Sequence, residues 1–523
     1  MNHDSQSAVD EWLSVYGVED ADAAELLCDR HDPRAVAFTF VRPGDDGRIC
    51  DVQTLRFGEL ADESRRLATV LHRRGVSPGD RVPVLLTKRR ELIVALLALW
   101  RLGAVHVPLF TAFATGAVEL RVRASGASLV ITEPSQLAKI EPLDAVETLV
   151  VGEELDRLVA ESGPWQDTVS IGGDGILVQL YTSGTTGPPK GVPVPLRALA
   201  SFCSYMHYSV DLRGHDVYWN AADPGWAYGL YYAVIAPLAL GRASVLVDAP
   251  FSPKTTHKVI SELGVTNFCA APTVYRALSR SGLFEGNRSL ALRCASSAGE
   301  PLTPDVLEWS ATALGTEVRD HYGQTELGMV ICHHAHPDLR EPPEPGSMGR
   351  PLPGFAMGIV DGEIAVDVPA SPLMWFTGYQ DDPEKTAERF DEDGRWYRTS
   401  DMGRRDDDGR YYFTARNDDV ILAAGYRIGP FDVESVLSTH PAVADVAVVG
   451  RPDPEGIRGE VVEAFVVLTP GTQASAELEH ELRSMVREQY SKHAYPRTIH
   501  VVEELPKTPS GKVQRYLLRR RQA

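Results

Sequence analysis

The sequence has no apolar run long enough to cross a membrane and no secretory signal. Its longest uninterrupted apolar run is the nine residues from Leu92 to Trp100, whereas a membrane-spanning helix needs roughly 20. The first residues, MNHDSQSAVDEW, contain neither a basic region nor an apolar stretch, so no signal peptide is predicted. We therefore expect no membrane span and a cytoplasmic location, and we interpret residues 92–100 as a buried helix.

Cysteine is scarce, and its spacing excludes the usual cysteine frameworks. The six cysteines show no CxxC pair, which favours reduced, mostly buried thiols over disulfides. One segment, Cys332–His336, contains a cysteine and three histidines. Nothing nearby supplies a convincing pair of further ligands for a tetrahedral zinc site. Packed or surface histidines are the favoured interpretation.

Positive charge is in deficit, and lysine is especially rare. The chain has 52 basic and 72 acidic residues, a formal net charge of −20, whereas nucleic-acid binders usually carry the opposite sign. An anionic ligand must therefore be held by a local positive site. Only nine residues are lysine. Three of them, Lys190, Lys507 and Lys512, lie in segments rich in Gly, Pro, Ser or Thr, which makes these three candidates for function.

The 523 residues predict several packed units, since one domain commonly has about 100–200 residues. Helical and strand patterns alternate over 50–135 and again over 175–320, which predicts an α/β fold with two parallel-rich sheet lobes. Residues 355–413 have short strands and turns, typical of a small β-rich subdomain. A compact α/β segment follows. We predict an N-terminal domain over 1–416 and a small mobile C-terminal domain over 417–523.

The segment Tyr181–Gly191 has the composition of a phosphate-binding loop. Its glycines permit a backbone nest whose N–H groups face an anion, and hydroxyls and a lysine add donors and charge. The predicted phosphate-binding residues are Thr182, Ser183, Gly184, Thr185, Thr186, Gly187 and Lys190. A Walker A loop requires Ser or Thr after its lysine. Because Gly191 stands there, the P-loop NTPase interpretation fails.

Further motifs follow in order along the chain: Ser297–Pro301, Tyr322–Glu326, Tyr397–Asp401, Arg416–Asp418, Gly425–Arg427 and Pro506–Lys512. Together with Tyr181–Gly191 they resemble the motifs of the adenylate-forming superfamily, which includes acyl-CoA synthetases, peptide-synthetase adenylation domains and luciferases. The resemblance covers roughly residues 25–520. Two positions depart from the family pattern, since Ala415 and Ser400 stand where glycine is usual.

The resemblance implies a role for each motif. Thr325 and Glu326 would act at the α-phosphate, with Glu326 coordinating Mg²⁺, an ion that prefers hard oxygen ligands. Lys512 would be the catalytic lysine, Asp418 the hinge and Gly425 part of the loop that meets the thiol acceptor. Nucleotide contacts are implied for Gly299, Glu300, Pro301, Tyr322, Gln324, Asp401, Arg416 and Arg427. The implied substrates are ATP, a small carboxylic acid and CoA.

A second resemblance indicates which kind of carboxylic acid the protein would activate. Asp223–Trp226 and Tyr495–Thr498 are most similar to acetyl-CoA and medium-chain acyl-CoA synthetases. Acetate-specific members close the acyl pocket with Trp at the position of Gly323, so Gly323 and Ala298 predict room for a medium-chain, branched or aromatic acid. Trp226, Tyr228 and Tyr231 are predicted to line this pocket, although ordinary core aromatics would look the same.

Two alternatives to a CoA ligase stay open at this point. The first is an adenylating enzyme that loads a carrier protein in trans or activates an unusual oxyanion. The second is a non-catalytic nucleotide-binding protein, which the presence of Lys512, Glu326 and Asp401 argues against. Oligomeric state is not predicted.

Overall fold

The computed structural model describes residues 3–44, 46–144, 146–167, 169–182, 190–286, 290–416, 419–423, 426–453, 460–491, 493–508 and 512–520. Within these residues the chain forms five β-sheets, of which the two largest are mostly parallel. The predicted α/β class with two parallel-rich lobes is confirmed.

The largest sheet has nine strands. In spatial order they are Arg350–Pro351, Gly328–Cys332, Val318–Gln324, Cys294–Ala298, Asn267–Ala270, Tyr218–Asn220, Ser244–Val247, Val36–Pro43 and Ile49–Arg56. The six strands from Val318–Gln324 to Val36–Pro43 are parallel to their neighbours, and the outer ones are antiparallel. Parallel neighbours place their carboxyl ends at one edge, where α/β proteins bind ligands.

The second sheet has six strands, in the order Glu147–Val150, Leu129–Thr132, Arg81–Leu85, Val105–Pro108, Ile176–Thr182 and Lys190–Pro195. The last strand pairs antiparallel with Ile176–Thr182 and forms an edge of the sheet. Proline lacks a backbone donor and is tolerated at sheet edges, which explains how Pro193 and Pro195 are accommodated. This strand was not predicted from the sequence.

Three smaller sheets follow along the chain. The first contains Met357–Val360, Glu363–Asp367, Trp396–Arg405 and Tyr411–Arg416, the second Ile421–Ala423 and Tyr426–Ile428, and the third Val443–Pro452, Glu460–Leu468 and Thr498–Val501. The first matches the predicted β-rich unit, and its last strand ends at Arg416. The division into domains at 416 and 417 stays a prediction.

Helices pack on both large sheets. The α-helices are His3–Tyr16, Phe57–Arg73, Arg90–Arg101, Thr115–Ser125, Glu153–Glu161, Ala198–Tyr208, Ala227–Gly229, Ala236–Ala239, Pro253–Glu262, Pro272–Arg280, Pro304–Ala313, Pro383–Ala387, Pro430–Ser438, Ala476–Gln489 and Arg515–Arg520. Pro134–Lys139 is 3₁₀, while Glu25–Asp29 and Leu230–Ile235 are π-helices. The helix Arg90–Arg101 confirms the interpretation of the longest apolar run, because residues 92–101 are all buried.

Candidate active site

Two of the predicted motifs meet at the carboxyl ends of neighbouring strands. Cys294–Ala298 runs parallel to Val318–Gln324, so the segment after Ala298 and the segment Tyr322–Glu326 emerge at the same edge of the sheet. After Ala298 the backbone turns through Gly299 with φ of +102°, a conformation that glycine adopts without strain. The next residue, Glu300, forms an ion pair with Arg276 at 3.1 Å.

Asp401 lies at the centre of a hydrogen-bonded cluster. Its Oδ2 accepts hydrogen bonds from the Tyr322 hydroxyl at 2.6 Å and from Gln324 Nε2 at 2.7 Å. Its Oδ1 lies 3.6 Å from Arg416 Nε. Burial raises the pKa of Asp401, and the positive charges of Arg416 and Lys512 oppose this rise. The structure therefore brings four predicted site residues, Tyr322, Gln324, Arg416 and Lys512, to one carboxylate.

Ser400, directly before Asp401, occupies a backbone conformation that favours glycine. Its φ is +63°, in the left-handed region where side chains other than Gly, Asn and Asp are uncommon. The Ser400 hydroxyl accepts a hydrogen bond from Arg389, and its backbone N–H donates to Glu363. The departure from the usual glycine is thus accommodated by polar contacts around a strained residue.

Glu326 lies in a second, mostly buried part of the site. It is 6% exposed, and its Oε1 accepts a hydrogen bond from the Tyr379 hydroxyl at 2.7 Å. Arg389 Nε donates to the same hydroxyl at 3.0 Å. Lys190 Nζ lies 4.8 Å from the centroid of the Tyr379 ring. Tyr379 therefore links the predicted metal ligand to the lysine of the predicted phosphate loop.

The phosphate loop is described only at its ends. Thr182 and Lys190 are register partners in the antiparallel pair that flanks the loop, so the intervening segment connects adjacent strands. Burial and the nearby charges of Arg389 and Lys385 lower the pKa of Lys190. The predicted residues Ser183, Gly184, Thr185, Thr186 and Gly187 lie outside the described residues.

Lys512 approaches the same carboxylate from the C-terminal part of the chain. Its charge lowers the pKa of Asp401, and its backbone N–H donates to Thr508 Oγ1 at 3.1 Å. Three residues further on, Arg515 donates to both carboxylate oxygens of Glu434 at 2.8 Å and lies 3.5 Å from Asp419. These ion pairs anchor the chain directly after Lys512.

Three predicted residues of the C-terminal part cannot be placed. Asp418 and Gly425 lie outside the described residues, and the side chain of Arg427 is not described, although Tyr426–Ile428 forms a strand with Ile421–Ala423. The ion-paired Asp419 follows the predicted hinge residue directly in the sequence. The hinge and thiol-loop assignments stay predictions.

The residues predicted for the acyl pocket are at least partly buried. Trp226 packs against Phe110 and Phe113, with ring centroids 5.5 and 5.1 Å apart. The partly exposed Tyr228 directs its hydroxyl to Tyr205, 3.1 Å away, and Ala298 is 3% exposed. A helical turn and the π-helix Leu230–Ile235 follow Trp226, and π-helical turns occur frequently at functional sites.

Gly323 is confined by the neighbouring strand. A Cβ at this position would lie 2.0 Å from the carbonyl oxygen of Gly328 and 2.7 Å from Met329 Cα. A β-bulge interrupts the strand register between Tyr322 and Gly323. Any side chain at this position therefore requires the strand Gly328–Cys332 to move.

We expect Gly323→Ala to lower the free energy of unfolding by about 1–3 kcal/mol, the usual cost of overpacking. The physical reason is the contact between the new Cβ and the backbone of Gly328. Denaturant unfolding measures the change. As a control, Gly163→Ala introduces a Cβ with no atom within 4 Å and should change stability by less than about 0.5 kcal/mol. Equal effects of the two substitutions would contradict the packing argument.

The sequence patterns do not indicate three residues of this site. Tyr379 and Arg389 contact Glu326 and Ser400 as described above, and Arg276 pairs with Glu300. None of the three belongs to a motif with a recognisable spacing. Tyr231, which is predicted to line the acyl pocket, donates its hydroxyl to the Thr325 carbonyl oxygen at 3.0 Å.

The histidine cluster is packed into the protein. His333 and His334 are buried, and burial lowers the pKa of each below its usual value. Within the described residues, no group of three or more His, Cys, Asp or Glu side chains could hold a metal ion.

Among the helices described, none is both long enough and apolar enough to cross a membrane.

Two parallel-rich sheets with these motifs at their carboxyl ends, together with a lysine of the C-terminal part of the chain near Asp401, are typical of the adenylate-forming class of enzymes. Comparison with known proteins gives the family. Residues 29–372 match the family model of the AMP-binding enzymes, and residues 432–512 match that of the AMP-binding enzyme C-terminal domain. The chain therefore belongs to the AMP-binding enzyme family.

Individual relatives narrow the class further. The chain is 37% identical to acetyl-coenzyme A synthetase of Bacillus subtilis, over 88% of this chain and 84% of that protein. A crystal structure of Brucella canis acyl-CoA synthetase is 41% identical, with a TM-score of 0.76 and coverage of 99% and 98%. An anthranilate CoA ligase bound to anthranoyl-AMP is 27% identical, with a TM-score of 0.85 and coverage of 95% and 96%.

These findings confirm the predicted activity. The protein is an acyl-CoA synthetase that forms an acyl-adenylate from ATP and a carboxylic acid and transfers the acyl group to CoA. The non-catalytic alternative is therefore set aside.

Proposed function

We propose that this acyl-CoA synthetase activates a medium-chain, branched or aromatic acid in preference to acetate, with Lys512, Thr325 and Glu326 acting at the α-phosphate of ATP. The observation that carries the assignment of roles is the convergence on Asp401 of Tyr322, Gln324, Arg416 and the charge of Lys512. A cytoplasmic location remains part of the proposal.

In the first half-reaction, the substrate carboxylate attacks the α-phosphorus and pyrophosphate leaves. Both reactants are anionic, so positive charge must be placed where charge develops in the transition state. Lys512 supplies that charge at the α-phosphate, and Lys190 holds the departing phosphates. Asp401 accepts hydrogen bonds from the ribose hydroxyls. No covalent enzyme nucleophile is needed.

The donor set at Glu326 fits Mg²⁺. Its buried carboxylate has one oxygen bound by Tyr379, and within the described residues no hydrogen bond reaches the other. Mg²⁺ in nucleotide sites usually binds one or two protein carboxylates together with substrate phosphates and water, so a single glutamate is sufficient. When bound, the ion would neutralise phosphate charge.

The second half-reaction requires Lys512 to leave and a thiol to arrive. In this proposal the C-terminal part rotates about Asp418, and the loop containing Gly425 approaches the pantetheine arm of CoA. The absence of a side chain at Gly425 permits a close approach.

The acid preference rests on the resemblance, in which acetate-specific relatives close the acyl pocket with tryptophan at the position of Gly323, and on the small size of Ala298. The confined position of Gly323 adds a constraint, because an indole there would require a different arrangement of the neighbouring strand. The preference therefore depends on the backbone as well as on the missing side chain.

The experiment measures acid-dependent AMP formation for acids from acetate to octanoate and for benzoate-type acids, with and without CoA. We expect turnover to need CoA and to peak beyond acetate. A peak at acetate would contradict the preference. Adenylation that does not respond to CoA would instead favour a carrier protein in trans, and silence on every acid would favour an unusual oxyanion.

A further inference from the structure

Tyr379 lies between two charged groups of opposite sign in the proposed phosphate site. Its hydroxyl donates to Glu326 Oε1 at 2.7 Å, and Lys190 Nζ lies over its ring, 4.8 Å from the centroid. A cation within about 6 Å of an aromatic centroid is attracted to the ring face. Tyr379 is buried. One buried side chain therefore contacts both the proposed metal ligand and the lysine of the proposed phosphate loop.

The direction of the hydrogen bond to Glu326 is fixed by Arg389. Arg389 Nε lies 3.0 Å from the Tyr379 hydroxyl oxygen, and a guanidinium can only donate. The oxygen therefore accepts from Arg389, which leaves the single phenolic proton for Glu326. Burial and the negative charge of Glu326 raise the pKa of Tyr379, so the hydroxyl keeps this proton. Tyr379 is consequently a donor to Glu326.

The backbone around Tyr379 is held on both sides. The Tyr379 N–H donates to Thr386 Oγ1 at 2.9 Å. The N–H of the next residue, Gln380, donates to the Gly191 carbonyl oxygen at 2.8 Å, and Gly191 directly follows Lys190. The structure thus fixes the position of Tyr379 relative to the strand that follows the phosphate loop.

Glu326 receives this hydrogen bond at one carboxylate oxygen. Among the described residues, Tyr379 is the only hydrogen-bond donor to its side chain. Carboxylates that bind metal ions are usually hydrogen-bonded themselves, and such partners orient the ligand. The bond from Tyr379 restricts rotation of the Glu326 carboxylate and leaves Oε2 without a donor in the described part of the chain.

We propose that Tyr379 is a positioning residue whose hydroxyl holds the Glu326 carboxylate in place to bind Mg²⁺ during adenylate formation. This inference rests on the proposed function, because it takes Glu326 as the metal ligand. Arg389 acts one step further away by directing the phenolic proton. The contact between the ring and Lys190 does not need the hydroxyl, so removing the hydroxyl should affect the metal and spare the phosphates held by Lys190.

The test uses Tyr379→Phe, which removes the hydroxyl and keeps the ring. Mn²⁺ is the probe, titrated into enzyme saturated with α,β-methylene-ATP, which cannot release pyrophosphate, and followed by electron paramagnetic resonance. We expect the Kd for Mn²⁺ to rise by about 10-fold or more, the usual effect of losing a partner of a metal ligand. The KM for pyrophosphate in ATP–pyrophosphate exchange at saturating metal should change little. An unchanged Kd, or equal losses in both quantities, overturns the inference.

Tyr412 provides a matched control. Its hydroxyl donates to Asp406 at 3.0 Å, and the Arg404 guanidinium lies 3.8 Å from its ring centroid. This arrangement has the same three parts, a carboxylate, a tyrosine and a cation over the ring, and none of them belongs to the proposed site. Tyr412→Phe should keep the wild-type Kd for Mn²⁺. A rise as large as that in Tyr379→Phe would show a general structural effect and overturn the inference.

A double-mutant cycle tests whether Tyr379 acts through Glu326. Glu326→Gln alone should weaken Mn²⁺ binding, and adding Tyr379→Phe should weaken it little further, because coupled residues are not additive. Fully additive effects overturn the inference. If Glu326→Gln weakens binding while Tyr379→Phe does not, the inference is overturned and the proposed metal ligand stands. If Glu326→Gln leaves the Kd unchanged, the proposed metal ligand is wrong and the inference is overturned with it.

Discussion

Replacing Lys512 with alanine is expected to slow acyl-adenylate formation by about 10²–10³-fold, the usual cost of losing one transition-state donor. Lys512 is proposed for this role, and its positive charge lowers the pKa of Asp401, the residue proposed to hold the ribose of ATP. Thioester formation from supplied acyl-adenylate and CoA should change little, since the lysine is proposed to leave the site between the half-reactions. Acid-dependent ATP–pyrophosphate exchange and thioester release measure the two steps separately.

Lys507 provides a matched control on the same C-terminal segment. Its Nζ pairs with Asp445 at 2.6 Å, and its backbone forms a β-bridge with Val513, so it has a structural partner that Lys512 is not shown to have. Lys507→Ala should therefore leave the ratio of the two half-reaction rates unchanged. Equal losses in both half-reactions of Lys512→Ala would contradict a role confined to adenylation.

The parallel sheets could be predicted because their central strands are short apolar runs separated by helical patterns. The strands Ser244–Val247 and Asn267–Ala270 lie within 175–320, where the sequence predicts alternating strands and helices. The edge strand Ile49–Arg56 was missed, since it is largely exposed and lacks a clear apolar face. Local pattern thus finds buried strands more readily than edge strands.

In the candidate site, too, some residues could be predicted from local sequence pattern and others could not. Residues in contiguous motifs, such as Tyr322 and Gln324, were predicted and lie together around Asp401. Tyr379 and Arg389 were not, because they reach Glu326 and Ser400 through tertiary packing that no local spacing encodes. Sequence patterns indicate which residues carry the chemistry, whereas the residues that surround them can be identified only from the fold.

Asp401→Asn is expected to raise the KM for ATP by about 10–100-fold, because hydrogen bonds to a charged group contribute about 1.5–3 kcal/mol. In the wild type, Oδ2 accepts from both Tyr322 and Gln324. The asparagine must therefore keep its carbonyl oxygen towards these donors and turn its amide nitrogen towards Arg416 and the ribose. A ribose hydroxyl that donated to Oδ1 then meets a donor instead of an acceptor.

Deoxy-ATP analogues test whether the loss occurs at the ribose. The wild type should discriminate against ATP that lacks the 2′- or 3′-hydroxyl, and Asp401→Asn should lose most of this discrimination because the acceptor is gone. Asp406→Asn is the control, since Asp406 accepts from Arg410 N–H and Tyr412 in the turn that follows the same strand. That variant should keep both the KM for ATP and the discrimination. If Asp401→Asn still rejects the deoxy analogues as strongly as the wild type, the ribose hydroxyls are bound elsewhere. The cluster around Asp401 then serves only to hold the four-stranded sheet against the nine-stranded sheet.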